Sequence, residues 1–198
     1  ILKHHYKVYI ISGNHDSVER LNFASSILKN EGLYIETYAN VPISKYEFYD
    51  EYGKVNLYML PYSSPLYTRS KFNTNCKTYS EMIKYYVEGT NINFSERNIL
   101  MTHHTLLHEH EAMFSDSEIR FNIGGTEGID AAYFNDFDYV ALGHLHNPQY
   151  LGKKHIRYSG SMLKYSESEI SINKSICMVE LNNKGDTNIT LLPLTPKR

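Results

Sequence analysis

The stretch YKVYIISGNHD, residues 6–16, decides the fold of this chain. Its first half is rich in β-branched and aromatic residues and predicts a strand, and Gly13-Asn14-His15-Asp16 follows at once. Open α/β sheets present their chemistry just beyond the carboxyl ends of such strands. We therefore predict that a strand ends just before Gly13 and delivers Asn14 and His15 to a functional site.

A second stretch, FDYVALGHLH at residues 137–146, repeats this arrangement near the other end of the chain. His144 and His146 alternate by two, so their imidazoles leave the same side of an extended segment. A lone His-x-His is weak evidence, but Gly143 before it and Pro148 after it predict a sharp, rigid turn. The pattern favours two histidines that reach neighbouring metal ions.

A histidine pair between these motifs follows a strand-like segment, residues 98–100. We favour His103 as the ligand because it comes first after the strand, and expect His104 to support it or to face the substrate. Asparagine oxygen and imidazole nitrogen together suit a borderline-hard divalent ion such as Mn²⁺ or Fe²⁺. The three motifs in this order predict a metal-dependent phosphoesterase.

Each of these residues also has a simpler interpretation. Asn14 suits a left-handed turn beside glycine. His15 is either a capping or surface histidine or a functional group that donates to a phosphate oxygen or protonates a leaving alkoxide, with Asp16 orienting its ring. His108 and His110 are interpreted as solvated loop residues.

Composition limits the class of protein. The chain has 198 residues with 20 Lys and Arg against 22 Asp and Glu, so any contact with DNA must be local. Cys76 and Cys177 lack metal-site spacing and fit reduced thiols. No apolar run reaches the ~18 residues of a membrane span, and we expect a soluble, cytoplasmic protein.

Hydrophobic patterns predict alternating helices and strands and then strands only. A helix capped by Ser17 or Asp16 is expected to end near Gly32, and a second helix is expected over residues 78–87, where apolar residues recur at helical spacing. Residues 105–128 form a long loop, which is usually a functional or mobile feature. This order favours an α/β sandwich over a doubly wound parallel sheet.

Gly-Asn-His-Asp, a strand-end histidine and Gly-His-x-His, in this order, resemble the calcineurin-like metallophosphoesterase superfamily. The segments at residues 115–120, 124–125 and 157–161 further resemble its SbcD family of bacterial nuclease subunits, with similarity running from Tyr9 to Pro196. The resemblance implies a sandwich of two mixed β-sheets flanked by helices.

The same resemblance implies a DNA exonuclease and endonuclease subunit that uses two Mn²⁺ ions, with Mg²⁺ or Fe²⁺ as alternatives. Its implied partners are an SbcC-type ATPase, double-stranded DNA ends and hairpins, and a second copy of itself within a heterotetramer. Its implied processes are DNA repair, replication and recombination.

The resemblance also assigns the residues of the site. Positions matching Asn14, His103 and His144 hold one ion, the position matching His146 helps to hold the other, and His15 beside Asp16 is catalytic. We expect substrate contacts from Arg120, His104, Arg157, Tyr158 and Ser161. For Arg120 the alternative is a structural tether to Glu118.

One departure from the family pattern is clear. The family's Asp-x-His and Gly-Asp-x-x-Asp motifs should precede Gly13, yet residues 1–12 contain no aspartate. We therefore expect residues 1–198 to be a partial domain, without two leading βα units of roughly 60 residues and without a C-terminal capping domain, and inactive alone. A phosphatase or small-molecule phosphodiesterase and an inactive scaffold are the alternatives.

Overall fold

The computed structural model describes residues 6–107, 112–113, 115–116 and 128–195. The strands are β1 Val8–Ile11, β2 Leu33–Glu36, β3 Ser44–Asp50, β4 Gly53–Leu60, β5 Arg97–Thr102, β6 Leu106–Leu107, β7 Ile129–Asp130, β8 Tyr139–Leu142, β9 Gln149–Leu151, β10 Lys153–Tyr158, β11 Ser175–Leu181 and β12 Thr187–Pro193. The α-helices are α1 Val18–Asn22, α2 Ser25–Asn30, α3 Pro65–Phe72 and α4 Tyr79–Glu88, with short 3₁₀ turns at Ala131–Phe134 and Glu167–Glu169.

A six-stranded mixed sheet in the order β3-β4-β5-β8-β10-β9 forms the centre of the fold. Strands β4, β5, β8 and β10 run parallel, and the two edge strands β3 and β9 are antiparallel to their neighbours. The carboxyl ends of β5 and β8 therefore lie side by side, where the sequence places His103 and Gly143. The predicted α/β class with mixed sheet structure is confirmed.

Strand β1 brings the first motif to the same region. It pairs in parallel with β2 in a separate two-stranded sheet. The buried Ser12 follows it: its amide donates to the Glu36 carbonyl at 3.1 Å, and its carbonyl accepts from the Tyr62 amide at 3.0 Å just after β4. Ser12 thus fixes the Gly13 loop against the end of the central sheet.

Helix α4 follows the predicted pattern and forms much of the core. Thr78 and Glu81 form a capping box at its start, and Met82, Ile83 and Tyr86 are buried against the sheet. The sequence patterns did not predict helix α3. Its start has a common signal, a serine followed by proline, and the Ser64 side chain accepts a hydrogen bond from the Tyr67 amide there.

The single helix predicted between Ser17 and Gly32 is wrong. The structure breaks it at Ala24, whose φ of 77° is left-handed, and leaves α1 and α2 as two short helices. Asn22 and Ser25 flank the break and hydrogen-bond to each other at 3.0 Å, as residues that favour turns over helix interiors do. The apolar side chain of Phe23 is consequently 83% exposed.

The remaining predictions concern loops, thiols and membrane spans. Most of the predicted loop 105–128, including His108 and His110, lies outside the described residues. Both cysteines are free thiols. Among the helices of the described residues, none is both long and apolar enough to cross a bilayer.

Candidate metal centre

Three loops at strand ends bring Asn14, His103 and His144 together. The Asn14 Oδ1 atom lies 3.0 Å from His103 Nε2 and 3.4 Å from His144 Nδ1. The two imidazole rings meet edge to face with their centroids 5.4 Å apart. These residues are separated by up to 130 positions in sequence, and the structure assembles the predicted set.

Two glycines make room for His103. A Cβ atom on Gly13 would lie 2.7 Å from His103 Cε1, and one on Gly143 would lie 2.6 Å from His103 Nδ1. Both distances are shorter than any normal contact with a side-chain carbon. The ring is therefore held between two backbone segments that only glycine allows to approach so closely.

Burial keeps these imidazoles neutral. It lowers the pKa of His103 to about 4, with a further lowering from the nearby His144. Burial also lowers the pKa of His144, as do the nearby His15 and His146. Metal ligation requires the neutral ring with a free lone pair, so both rings are in the competent state at physiological pH.

The donor set fits a divalent ion. Ligand atoms about 2.1 Å from one ion and at right angles to each other are about 3 Å apart, which is close to the observed separations. An amide oxygen and two imidazole nitrogens suit a borderline-hard metal. No three His, Cys, Asp or Glu side chains of the described residues form a metal-holding group, so the set stands without a carboxylate.

The backbone at His144 is unusual. Its φ of 101° lies in a region that residues with side chains rarely adopt. Conformations of this kind persist where the surroundings enforce them, and they cluster at functional sites. Here the geometry turns the ring toward Asn14 immediately after β8.

His15 and Asp16 occupy the exposed rim. The Asp16 carboxylate accepts from the Gly13 amide at 2.6 Å and so closes the loop that presents His15. No hydrogen bond joins Asp16 to the His15 ring, although the structure describes both, so the expected orienting contact is not formed. The His15 side chain is exposed near the His103 and His144 imidazoles.

His146 lies next to this centre but has a different set of partners. Its Nδ1 faces the buried carboxylate of Glu169 at 3.3 Å, and its backbone carbonyl accepts from the Ser161 amide at 3.0 Å. Ser161 Oγ donates to the Leu163 carbonyl at 2.7 Å and accepts from Lys174 Nζ at 2.9 Å. Ser161 thus supports the His146 segment, and its expected contact with substrate stays a prediction.

Two further expected substrate contacts lie beneath the site. His104 is 1% exposed, and its ring nitrogens face Thr102 Oγ1 at 2.8 Å and the Ser63 backbone at 3.1–3.2 Å. Tyr158 is fully buried and donates from its hydroxyl to the His104 carbonyl at 2.7 Å. The prediction that these two side chains contact substrate is wrong, because neither is accessible to solvent. The His104 ring instead supports the loop that carries His103.

The last two predicted substrate residues have different outcomes. Arg157 is half-buried, and its guanidinium lies over the Tyr150 ring at 5.4 Å. Its contact with substrate stays a prediction. Arg120 lies outside the described residues.

Sequence reasoning missed Ser63, Glu169 and Lys174. Ser63 bonds the His104 ring, and Glu169 and Lys174 are buried charged residues next to His146. No motif marks Glu169 or Lys174, and the only signal is their position in the polar segment that follows residues 157–161.

Comparison with known proteins adds independent information. A family model described as calcineurin-like phosphoesterase matches residues 1–148, which include all three predicted motifs. The chain is 34% identical over 194 residues to SbcD, a subunit of the nuclease SbcCD, from Staphylococcus epidermidis. That alignment covers 96% of this chain but 50% of the relative, so the chain spans about half the length of the relative it matches.

Proposed function

This chain belongs to the calcineurin-like phosphoesterase family, and we propose that it carries part of the active site of a metal-dependent DNA nuclease. The observation that carries the proposal is the convergence of Asn14, His103 and His144 on one point, beside the exposed His15. Similarity to a nuclease SbcCD subunit supports DNA as the substrate class. We further propose an SbcC-type ATPase as the partner, and roles in DNA repair, replication and recombination.

Each residue has a defined task in this proposal. Asn14, His103 and His144 would hold one ion, and His146 would help to hold a second. When bound, divalent ions such as Mn²⁺ polarise the phosphodiester and supply a nucleophile at neutral pH. His15, at the rim, would donate a hydrogen bond to the phosphate or a proton to the leaving oxygen.

The candidate ligands Asn14, His103 and His144 are all neutral, so the proposed metal site needs further ligands that carry negative charge. Three neutral ligands do not offset the charge of a divalent ion or bridge two ions. We propose that acidic motifs upstream of residue 1 supply the missing carboxylates, and that residues 1–198 form part of a longer phosphoesterase domain.

The test compares two polypeptides on two substrates. A polypeptide extended upstream to include both acidic motifs is expected to cleave linear duplex DNA with added Mn²⁺ in preference to p-nitrophenyl phosphate. The 198-residue polypeptide is expected to cleave neither, because no carboxylate joins the candidate ligands among the residues that the structure describes.

Preference of the extended polypeptide for the small ester would overturn the assignment as a nuclease. EDTA-sensitive cleavage of DNA by the 198-residue polypeptide, abolished in His144→Ala, would show that residues 1–198 suffice for cleavage. That result would refute the proposal that cleavage needs carboxylate ligands from upstream of residue 1.

A further inference from the structure

A buried ion pair lies directly behind His146. Glu169 is fully buried and Lys174 is 5% exposed, and Lys174 Nζ lies 2.5 Å from Glu169 Oε2. Burying two charges is costly unless each is paired and its hydrogen bonds are satisfied. Both residues fall beyond residues 1–148, the part of the chain that the family model matches.

The hydrogen bonds of this pair are directed at His146. Glu169 Oε1 faces His146 Nδ1 at 3.3 Å and accepts from Ser166 Oγ at 3.0 Å. Lys174 Nζ donates to the His146 carbonyl at 2.9 Å and to Ser161 Oγ at 2.9 Å. The ring and the backbone of His146 are thus held by the same ion pair.

Gly160 brings the chain close enough for this arrangement. Its φ is 79°, and a Cβ atom there would lie 2.6 Å from the His146 carbonyl oxygen. Only glycine meets both conditions without displacing the His146 segment. The turn that carries Ser161 therefore packs directly on the backbone of His146.

We propose that Glu169 is a positioning residue that fixes the tautomer and orientation of His146, with Lys174 as its charge partner. By accepting from Nδ1–H, Glu169 would make Nε2 the unprotonated ring nitrogen of His146, which is the form that would bind the second ion; this consequence rests on the proposed function. Histidine ligands commonly donate their other ring nitrogen to a carboxylate in this way. Because Lys174 neutralises Glu169, the carboxylate acts on His146 as a hydrogen-bond acceptor, not as an unpaired charge.

The experiment reads the tautomer of His146 directly in the metal-free chain. Long-range ¹H–¹⁵N NMR spectra of the imidazoles are recorded at a pH where the rings are neutral, and His146→Gln assigns the signal. The wild-type chain is expected to show a protonated Nδ1 and an unprotonated Nε2 at His146. The opposite tautomer in the wild-type chain would overturn the proposal, whatever any variant does.

Variants then test whether Glu169 is the cause. Glu169→Met with Lys174→Met removes both charges at similar size, since Glu169→Met alone would leave a buried unpaired lysine. The double variant is expected to shift His146 toward the Nε2–H form. The double variant Glu169→Gln with Lys174→Met restores a hydrogen-bond acceptor at position 169 and should restore the Nδ1–H form. The control is Glu167→Met, which changes an exposed neighbouring glutamate and should leave the His146 tautomer unchanged.

A merely structural ion pair predicts a different result. In that case the double Met variant would keep the wild-type tautomer, and the proposal would be refuted. Failure of the extended polypeptide to cleave DNA, with the Nδ1–H tautomer intact, would count against the proposed function and leave the role of Glu169 unchanged.

Discussion

Replacing His15 by alanine is expected to lower DNA cleavage by the extended polypeptide roughly 10²- to 10⁴-fold, the range typical of a lost general acid or base. His15 is exposed at the rim, whereas the residues assigned to the ion lie deeper. It is close enough to His103 and His144 to lower the pKa of both rings. The metal content of His15→Ala is expected to stay near that of the unmodified protein, because no proposed ligand is removed.

The measurement combines the cleavage rate on linear duplex DNA with metal analysis of the same sample. His155→Ala is the matched control, since it removes an imidazole from β10 that has no assigned role, and it should retain activity. A loss of bound metal in His15→Ala would instead move His15 into the ligand set.

Replacing Gly143 by alanine is expected to weaken divalent-metal binding by roughly 10- to 100-fold, the loss typical when a ligand loses its support. The added Cβ would lie 2.6 Å from His103 Nδ1, and Gly13 packs on the same ring, so the ring has no room to move aside. Titration of the chain with Mn²⁺, followed by electron paramagnetic resonance, measures this loss.

Gly185→Ala separates this effect from general destabilisation. Gly185 has a φ of 82° and open space around its Cβ position, and it lies in the β11–β12 turn, outside the site. The variant should lose about 1–2 kcal/mol in the free energy of unfolding from backbone strain alone, and should bind Mn²⁺ normally. Wild-type affinity in Gly143→Ala would contradict the assigned role of the glycine.

The proposed ligand residues could be singled out from the sequence because each lies shortly after the end of a strand. A short apolar run that ends in glycine, asparagine or histidine fixes where a strand stops, and parallel strands deliver their ends to one edge of a sheet. His103 and His144 follow two neighbouring parallel strands of the central sheet, β5 and β8. Asn14 reaches them from the separate β1–β2 sheet, through the backbone hydrogen bonds of Ser12. The matching family model confirms the resemblance to the calcineurin-like phosphoesterases.

Tertiary contacts decided what local sequence patterns left open or indicated wrongly. His103 and His104 are adjacent histidines, and their sequence does not show which one lies deeper. His104 is the almost fully buried one, because the Tyr62 ring stacks on it at 5.4 Å and the Ser63 backbone hydrogen-bonds to its ring. The spacing of apolar residues around Ala24 predicted one long helix, but a left-handed residue breaks it. Glu169 reaches His146 from 23 positions away, and no local pattern encodes such a contact.

The central claim is that Asn14, His103 and His144 bind one divalent ion. Crystals of the 198-residue chain soaked in millimolar Mn²⁺ and measured for anomalous scattering test it most directly. We predict an anomalous peak bounded by Asn14 Oδ1, His103 Nε2 and His144 Nδ1, and no such peak in His144→Ala crystals. A peak elsewhere with this position empty, or a peak here that survives His144→Ala, would contradict the claim.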